Sequence, residues 1–263
     1  MDISRRRFLQ SSLAISALTV LPACSLSRST NKQGQYIYDI TAEPSTAELV
    51  PGFNTEVLAF NGRIPAPIIR CRQGEKVTIN FINKLSEPTT IHWHGLRIPI
   101  EMDGVPFLSQ APIMPGETFT YEFIPPDAGT FWYHPHMNSV KQLGMGLVGL
   151  IIVEEAEPVQ FDEEHEVVLK HWHLDKQGQW KNLMVPRLSA RMGTPGEWSS
   201  VNGIHEPVYT PEQNATTRLR IANVDNTITY LIAIEGTEAW VIAIDGNPVT
   251  ATDEAIVDGS RHG

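Results

Sequence analysis

The chain has 263 residues, 41% of them hydrophobic, with 19 glycines, 19 prolines and a formal net charge of −10 at pH 7. That length allows one or two domains with ample core, and Gly and Pro scattered between short apolar runs exclude a low-complexity chain. The acidic balance argues against recognition of nucleic acid or anionic lipid through charge, and two cysteines exclude a disulfide framework.

Residues 1–35 read as a targeting segment and linker. Arg5-Arg6-Arg7-Phe8-Leu9 precedes an apolar run at 13–21, which is too short to span a bilayer well and matches a twin-arginine export signal. The expected location is therefore the periplasm or cell envelope. Leu21-Pro22-Ala23-Cys24 ends the run, leaving two alternatives open: a lipoprotein leader whose lipid anchor sits on Cys24, or an ordinary cleaved leader. Cleavage before Cys24 removes three arginines and one aspartate, taking the net charge from −10 to −12.

From Tyr36 the chain reads as successive strands at 36–41, 55–60, 67–72, 76–83, 89–94, 118–124, 129–134 and 146–154. Turn signals such as Asn61-Gly62, Gln73-Gly74 and Pro115-Gly116 separate them, and no helical period is sustained. Short antiparallel strands at this spacing predict an all-β Greek-key sandwich over residues 36–157. Cys71 shares the parity of Ile69 and opposes Arg70 and Arg72, so it reads as a buried core cysteine in preference to a metal ligand.

An acidic stretch at 155–161 with Pro158 marks a linker, and a second domain is assigned to 158–263. Its predicted strands are 165–174, 217–222, 228–235 and 239–244. Residues 177–198 are too rich in turn and polar residues to place, and 251–263 contain no convincing strand, so this second sandwich reads as incomplete.

The chemistry lies in histidine pairs. Nine histidines in a chain of this length give about 0.3 His-x-His pairs by chance, whereas the chain has three, at His92/His94, His134/His136 and His171/His173. On a strand, residues i and i+2 present both imidazoles on one face with Cα atoms roughly 6.5–7 Å apart, and two adjacent strands converge four of them. Neutral imidazole suits copper, iron, nickel and zinc, with copper near the top of the divalent affinity order. His171-Trp172-His173 repeats the spacing without the Gly-rich and Pro-rich companions of the other two and reads as a solvated strand face.

Taken in order, Thr90-Ile91-His92-Trp93-His94-Gly95-Leu96, Met102-Asp103-Gly104-Val105-Pro106, Gln110-Ala111-Pro112-Ile113-Met114-Pro115-Gly116 and Gly129-Thr130-Phe131-Trp132-Tyr133-His134-Pro135-His136 resemble the multicopper oxidases, the laccase-like family of linked cupredoxin domains. The resemblance runs from about Tyr36 to about Val249. It implies that His92 binds a type 2 copper, that His94, His134 and His136 bind a type 3 pair, and that Asp103 assists proton delivery during dioxygen reduction. A plain turn residue before Gly104 is an equal reading of Asp103. Asn202-Gly203, Arg218-Leu219-Arg220 and Ala243-Ile244-Asp245-Gly246-Asn247-Pro248 match structural positions of the family's second domain.

Family members oxidise a substrate at a type 1 copper, held by one Cys and two His, and pass electrons to the cluster. This sequence departs from that pattern, since after His173 only His205 and His262 remain and no Cys follows Cys71. Three readings follow: part of a larger oxidase, a short protein completing its cluster with a partner subunit, or a relative without redox activity. A two-domain copper nitrite reductase is disfavoured, because its type 1 cysteine would fall between His134 and Gly149, where none occurs. The expectation is the copper-binding N-terminal part of an exported multicopper oxidase, with a partial type 2 and type 3 ligand set. Its partners would be dioxygen, an unidentified reducing substrate, and either a C-terminal domain or a partner subunit. The alternative is a non-catalytic copper-binding or cell-envelope interaction module.

Overall fold

The computed structural model describes residues 29–30, 36–189 and 193–249. The twin-arginine segment, Cys24 and residues 251–263, His262 among them, lie outside the described residues. In chain order the strands are β1 (Ser29–Thr30), β2 (Tyr36–Val50), β3 (Phe53–Phe60), β4 (Ile69–Arg72), β5 (Val77–Asn83), β6 (His92–His94), β7 (Thr118–Phe123), β8 (Gly129–His134) and β9 (Gly149–Glu154). A 3-10 turn (Ile100–Met102) and a single-turn helix α1 (Ser139–Gln142) interrupt them. There follow β10 (Glu163–Trp172), α2 (Pro186–Ser189), β11 (Trp198–Val201), β12 (Thr217–Asn223), β13 (Ala243–Ile244) and β14 (Asn247–Pro248).

The all-β sandwich expected from the strand pattern is present. One sheet runs β1-β2-β5-β7 with β3 also on β2, and the other runs β4-β9-β8-β6. The sheets are mixed and not purely antiparallel, because β2 lies parallel to β5 and β4 parallel to β9. Alternation builds the core: Tyr36, Tyr38, Ile40 and Ala42 of β2 and Val77, Ile79 and Phe81 of β5 are buried on the inward face. Trp93 and Tyr133 close it from the opposite sheet, both with no exposed surface, and Trp93 meets Tyr121 edge-on at 5.4 Å. Truncating a buried ring of this size costs about 3–5 kcal/mol. Cys71 is fully buried in this core as expected, and burial pushes its thiol up to about 12.

β2 is longer than the 36–41 read from the sequence. It exchanges partners at Ala42, leaving β5 and pairing antiparallel with β3 out to Val50. Pro44 sits in this outer stretch, where one side of the strand carries no ladder among the described residues, so its missing N–H is tolerated. The resulting hairpin carries Leu49, Val50, Val57 and Ala59 beyond the sandwich onto Trp172 and Leu174.

The second group of strands has β10 at its centre, antiparallel to β11 and parallel to β12. Buried arginines tie it to the sandwich. Arg218 Nη2 lies 2.8 Å from Glu155 Oε1 and Arg220 Nη1 donates to Thr130 Oγ1 at 2.8 Å, while Arg220 Nη2 lies 3.0 Å from Glu164 Oε2 of β10 within the second group. The strands expected at 228–235 and 239–244 reduce to β13, paired only with β14. Their apolar residues explain the difference: Leu231 is fully exposed and Ile232, Trp240 and Ile242 are nearly half exposed. An alternating strand needs a facing layer to cover its apolar side, and among the described residues none covers this one.

Candidate metal centre

Strand pairing creates the centre. β6 and β8 lie antiparallel in a register that sets His92 opposite His134, Trp93 opposite Tyr133 and His94 opposite Trp132. Because Trp93 and Tyr133 point into the core, the period of two sends His92, His94, Trp132 and His134 to the other face. Pro135 ends β8, and the chain returns His136 to the same patch, its N–H donating to Thr90 Oγ1 at 3.4 Å. Trp132 stacks on both His94 and His134, at 4.5 and 4.2 Å, those two rings lie 5.6 Å apart, and His136 stacks on His134 at 5.1 Å. His92 crosses this ladder edge-on, with its centroid 5.8, 5.5 and 4.6 Å from those of His94, His134 and His136.

The ring nitrogens are sorted by their partners. His92 Nδ1 lies 2.7 Å from the backbone carbonyl of Asp103, which fixes the proton there and leaves Nε2 as the lone-pair nitrogen. His134 Nδ1 likewise faces the Pro135 carbonyl at 3.0 Å, so its Nε2 carries the lone pair and faces His94 Nδ1 at 3.4 Å. Ligand atoms of His92, His94 and His134 all fall within 4.8 Å of one another. With metal–nitrogen bonds of about 2.0–2.1 Å, the gap between His94 Nδ1 and His134 Nε2 is one that a single ion can span. His136 adjoins the three through its ring contacts and stands outside that mutual set.

Electrostatics favour the neutral form of His94, His134 and His136. Burial pushes His134 down to about 3, the Pro135 carbonyl opposes it, and the neighbouring histidines add to the fall. His94 and His136 are lowered first by burial and next by His92, opposed by Asp245 and Asp103 respectively. Neutral imidazole is the form that binds a metal.

Asp103 reaches His92 because Gly104 allows it. Gly104 has φ +78°, and the position of its absent Cβ is filled by backbone: 1.7 Å from the Ile91 carbonyl oxygen and 2.9 Å from the His92 nitrogen. A loop can press that closely on β6 only with glycine at this point. The nearest contact from Asp103 is its carbonyl, while its carboxylate Oδ1 stands 3.4 Å from His92 Nδ1.

The sequence of residues 41–158 matches the family model for multicopper oxidases. Copper resistance protein A of Escherichia coli is 31% identical over 95% of this chain and 50% of its own length. A crystal structure of the multi-copper oxidase from Pseudomonas thermotolerans is 48% identical with TM-score 0.81, covering 84% of this chain and 55% of that one. A further multicopper oxidase structure is 30% identical with TM-score 0.62 over 77% of this chain and 68% of that one. This chain belongs to the multicopper oxidase family. It spans about half the length of the curated relatives it matches.

Against the other histidines of this multicopper oxidase chain, the third pair is not the solvated face expected of it. His173 is buried with Nδ1 3.0 Å from the Asn182 carbonyl, and His171 is half-buried against Tyr230 at 5.2 Å, its backbone N–H donating to Asp225. The segments around Asn182 and Asp225 fold over the end of β10 and cover both rings, which strand periodicity alone does not foretell. Sequence reasoning also missed Asp245, a charge that acts on His94 from the distant β13–β14 turn. Its Asp-Gly pair signalled a turn but not where that turn would dock.

Proposed function

We propose that this chain supplies the first part of an exported, copper-dependent oxidase that couples one-electron oxidation of a reducing substrate to reduction of dioxygen to water. His92 takes the type 2 position and His94, His134 and His136 the type 3 positions. The observation that carries the reading is the nitrogen arrangement, in which His92 and His134 each commit Nδ1 to a carbonyl while His94 Nδ1 and His134 Nε2 face each other at 3.4 Å. Ligand atoms of three of these histidines also lie within 4.8 Å of one another, close enough to share one ion. Copper held there supplies the one-electron steps that carry four electrons to dioxygen.

This chain's own residues orient the ligands and handle protons. The Asp103 carbonyl locks the His92 ring, and the Asp103 carboxylate beside it is placed to hold one of the four protons that water formation consumes. Trp132 stacks against both His94 and His134 and limits their rotation. Export by the twin-arginine route, with or without lipid on Cys24, fits the N-terminal residues. We assign 36–157 to the first cupredoxin-like domain and 158–263 to the second. The remaining cluster ligands and the type 1 copper come from a further domain or a partner subunit.

The test is copper content. The chain is expected to bind copper, and His94→Ala combined with His136→Ala is expected to abolish binding while circular dichroism and the unfolding midpoint stay close to wild type. Unchanged stoichiometry in the double variant would sink the assignment.

A further inference from the structure

His136 is the cluster histidine that the sheet does not place. The β6–β8 ladder fixes His92, His94 and His134, and its last pair is His92 with His134. Pro135 then offers no N–H, and His136 is exposed, so neither a ladder nor a core holds it. Its backbone N–H makes only a long contact, 3.4 Å, to Thr90 Oγ1. The anchor comes from the next turn of chain. In α1 the fully buried Gln142 side chain reaches back to the segment leading into β6, where its Oε1 accepts from Thr89 Oγ1 at 2.7 Å and its Nε2 donates to the Pro88 carbonyl at 2.9 Å. An amide satisfies both partners in one orientation only. At the outer edge the Glu87 carboxylate accepts from Asn138 Nδ2 at 3.1 Å and lies 2.9 Å from Lys141 Nζ. At the inner end Ser139 Oγ donates at 3.3 Å to the Pro135 carbonyl, which also fixes the His134 tautomer.

Residues 87–90 lead the chain into His92, and residues 135–142 carry His136. A clasp between these two segments therefore sets the separation of the two rings, whose centroids are 4.6 Å apart. We propose that Gln142 is the positioning residue for His136: its buried amide locks 135–142 onto 87–90 and so holds the imidazole at the metal face. Hydrogen bonds in a dry setting are strong and directional, so they fix where α1 sits more sharply than apolar contact would. The ligand atoms of His92, His94 and His134 fall within 4.8 Å of one another without His136. Gln142 thus governs the fourth donor, while strand pairing governs the other three.

This inference rests on the copper reading of the four histidines. The test is a double-mutant cycle on the full chain with Cu(II) as the probe. Affinity is read by competition with a chelator, and pulsed EPR counts the imidazoles coupled to the metal. Gln142→Met keeps the side-chain length and removes both hydrogen bonds. It is expected to lower Cu(II) affinity roughly 10-fold and to remove one imidazole from the EPR pattern, as His136→Ala does. Added to His136→Ala it should have no further effect, because the ring it positions is gone. An unchanged affinity or imidazole count in Gln142→Met, or a loss of the same size without His136, overturns the inference alone. Should Gln142→Met not fold, the cycle is run with Thr89→Val, which takes away only the partner of Gln142 Oε1, and is judged by the same outcomes. A wild type that takes up no Cu(II) overturns the copper reading and the inference with it.

Discussion

Replacing Gly104 by Ala should damage both stability and copper binding, and the coordinates set the size of the effect. The residue has φ +78°, which costs an L-residue about 1–2 kcal/mol. The added methyl would lie 1.7 Å from the Ile91 carbonyl oxygen and 2.4 Å from its carbon, both backbone atoms that cannot swing aside. Ordinary contact needs about 3.5 Å, so the loop must retreat by more than the length of a covalent bond. That movement breaks the 2.7 Å contact between His92 Nδ1 and the Asp103 carbonyl, worth about 0.5–1.5 kcal/mol. Overpacking adds about 1–3 kcal/mol, for a total of roughly 2.5–6.5 kcal/mol. Gly116→Ala is the control, since Gly116 has φ +83° and nothing within 4 Å of its missing Cβ, leaving only the conformational cost. Urea unfolding of the two variants should therefore differ by about 1.5–4.5 kcal/mol, roughly 10- to 2000-fold in the folding constant. Copper affinity should fall roughly 10- to 100-fold in Gly104→Ala alone, because His92 loses the partner that sets its tautomer. If the two variants unfold within about 0.5 kcal/mol of each other, or if Gly104→Ala binds copper like wild type, the account of how the loop serves the site is wrong.

Lys170 carries a second prediction. It is 3% exposed, its Nζ makes no hydrogen bond among the described residues, and burial pushes it down to about 8 against a weaker opposing pull from Asp225. The unfolded chain binds this proton up to pH 10.5 and the folded chain releases it near 8, so the group favours folding increasingly as pH rises between those values. Lys170→Met should flatten that rise by about 3 kcal/mol when unfolding free energies at pH 8 and pH 10.5 are compared, and should be at least as stable as wild type at pH 7. A pH dependence shared by both proteins would remove Lys170 as its source. For the third histidine pair, His171→Ala with His173→Ala should leave copper content unchanged while lowering stability by about 1–3 kcal/mol, because the buried His173 ring and its hydrogen bond to the Asn182 carbonyl are lost. Metal analysis and unfolding on one preparation check both, and a loss of copper would mean that this pair also takes part in binding.

What could be read from the sequence divides along a physical line. Strand periodicity is local, so the shared face of His92 and His94, the burial of Cys71 and the sandwich itself were legible from alternation. The Met-Asp-Gly stretch was half legible. A turn at Asp103-Gly104 was foreseeable, but the reason for glycine lies in the Ile91 carbonyl that fills its Cβ position, a contact between segments. The same limit accounts for the misses. β2 continues past Thr41 because β3 is there to pair with it, and the Glu-Pro-Ser composition hides that opportunity. His171 and His173 lie on a strand whose sequence alternates as an exposed one would, and they are covered by segments nine and some fifty residues further on. The strands expected at 228–235 and 239–244 err the other way, since the alternation is present and the covering layer is not. Alternation states which side chains share a face, whereas what that face meets is decided by chain brought from elsewhere. The β13–β14 turn is the sharpest case: nothing local says where it docks, and it comes to rest on Phe131 because Gly246 and Gly95 fit against that ring without room for a methyl group. Small residues at such close approaches are thus the better guide to long-range placement here.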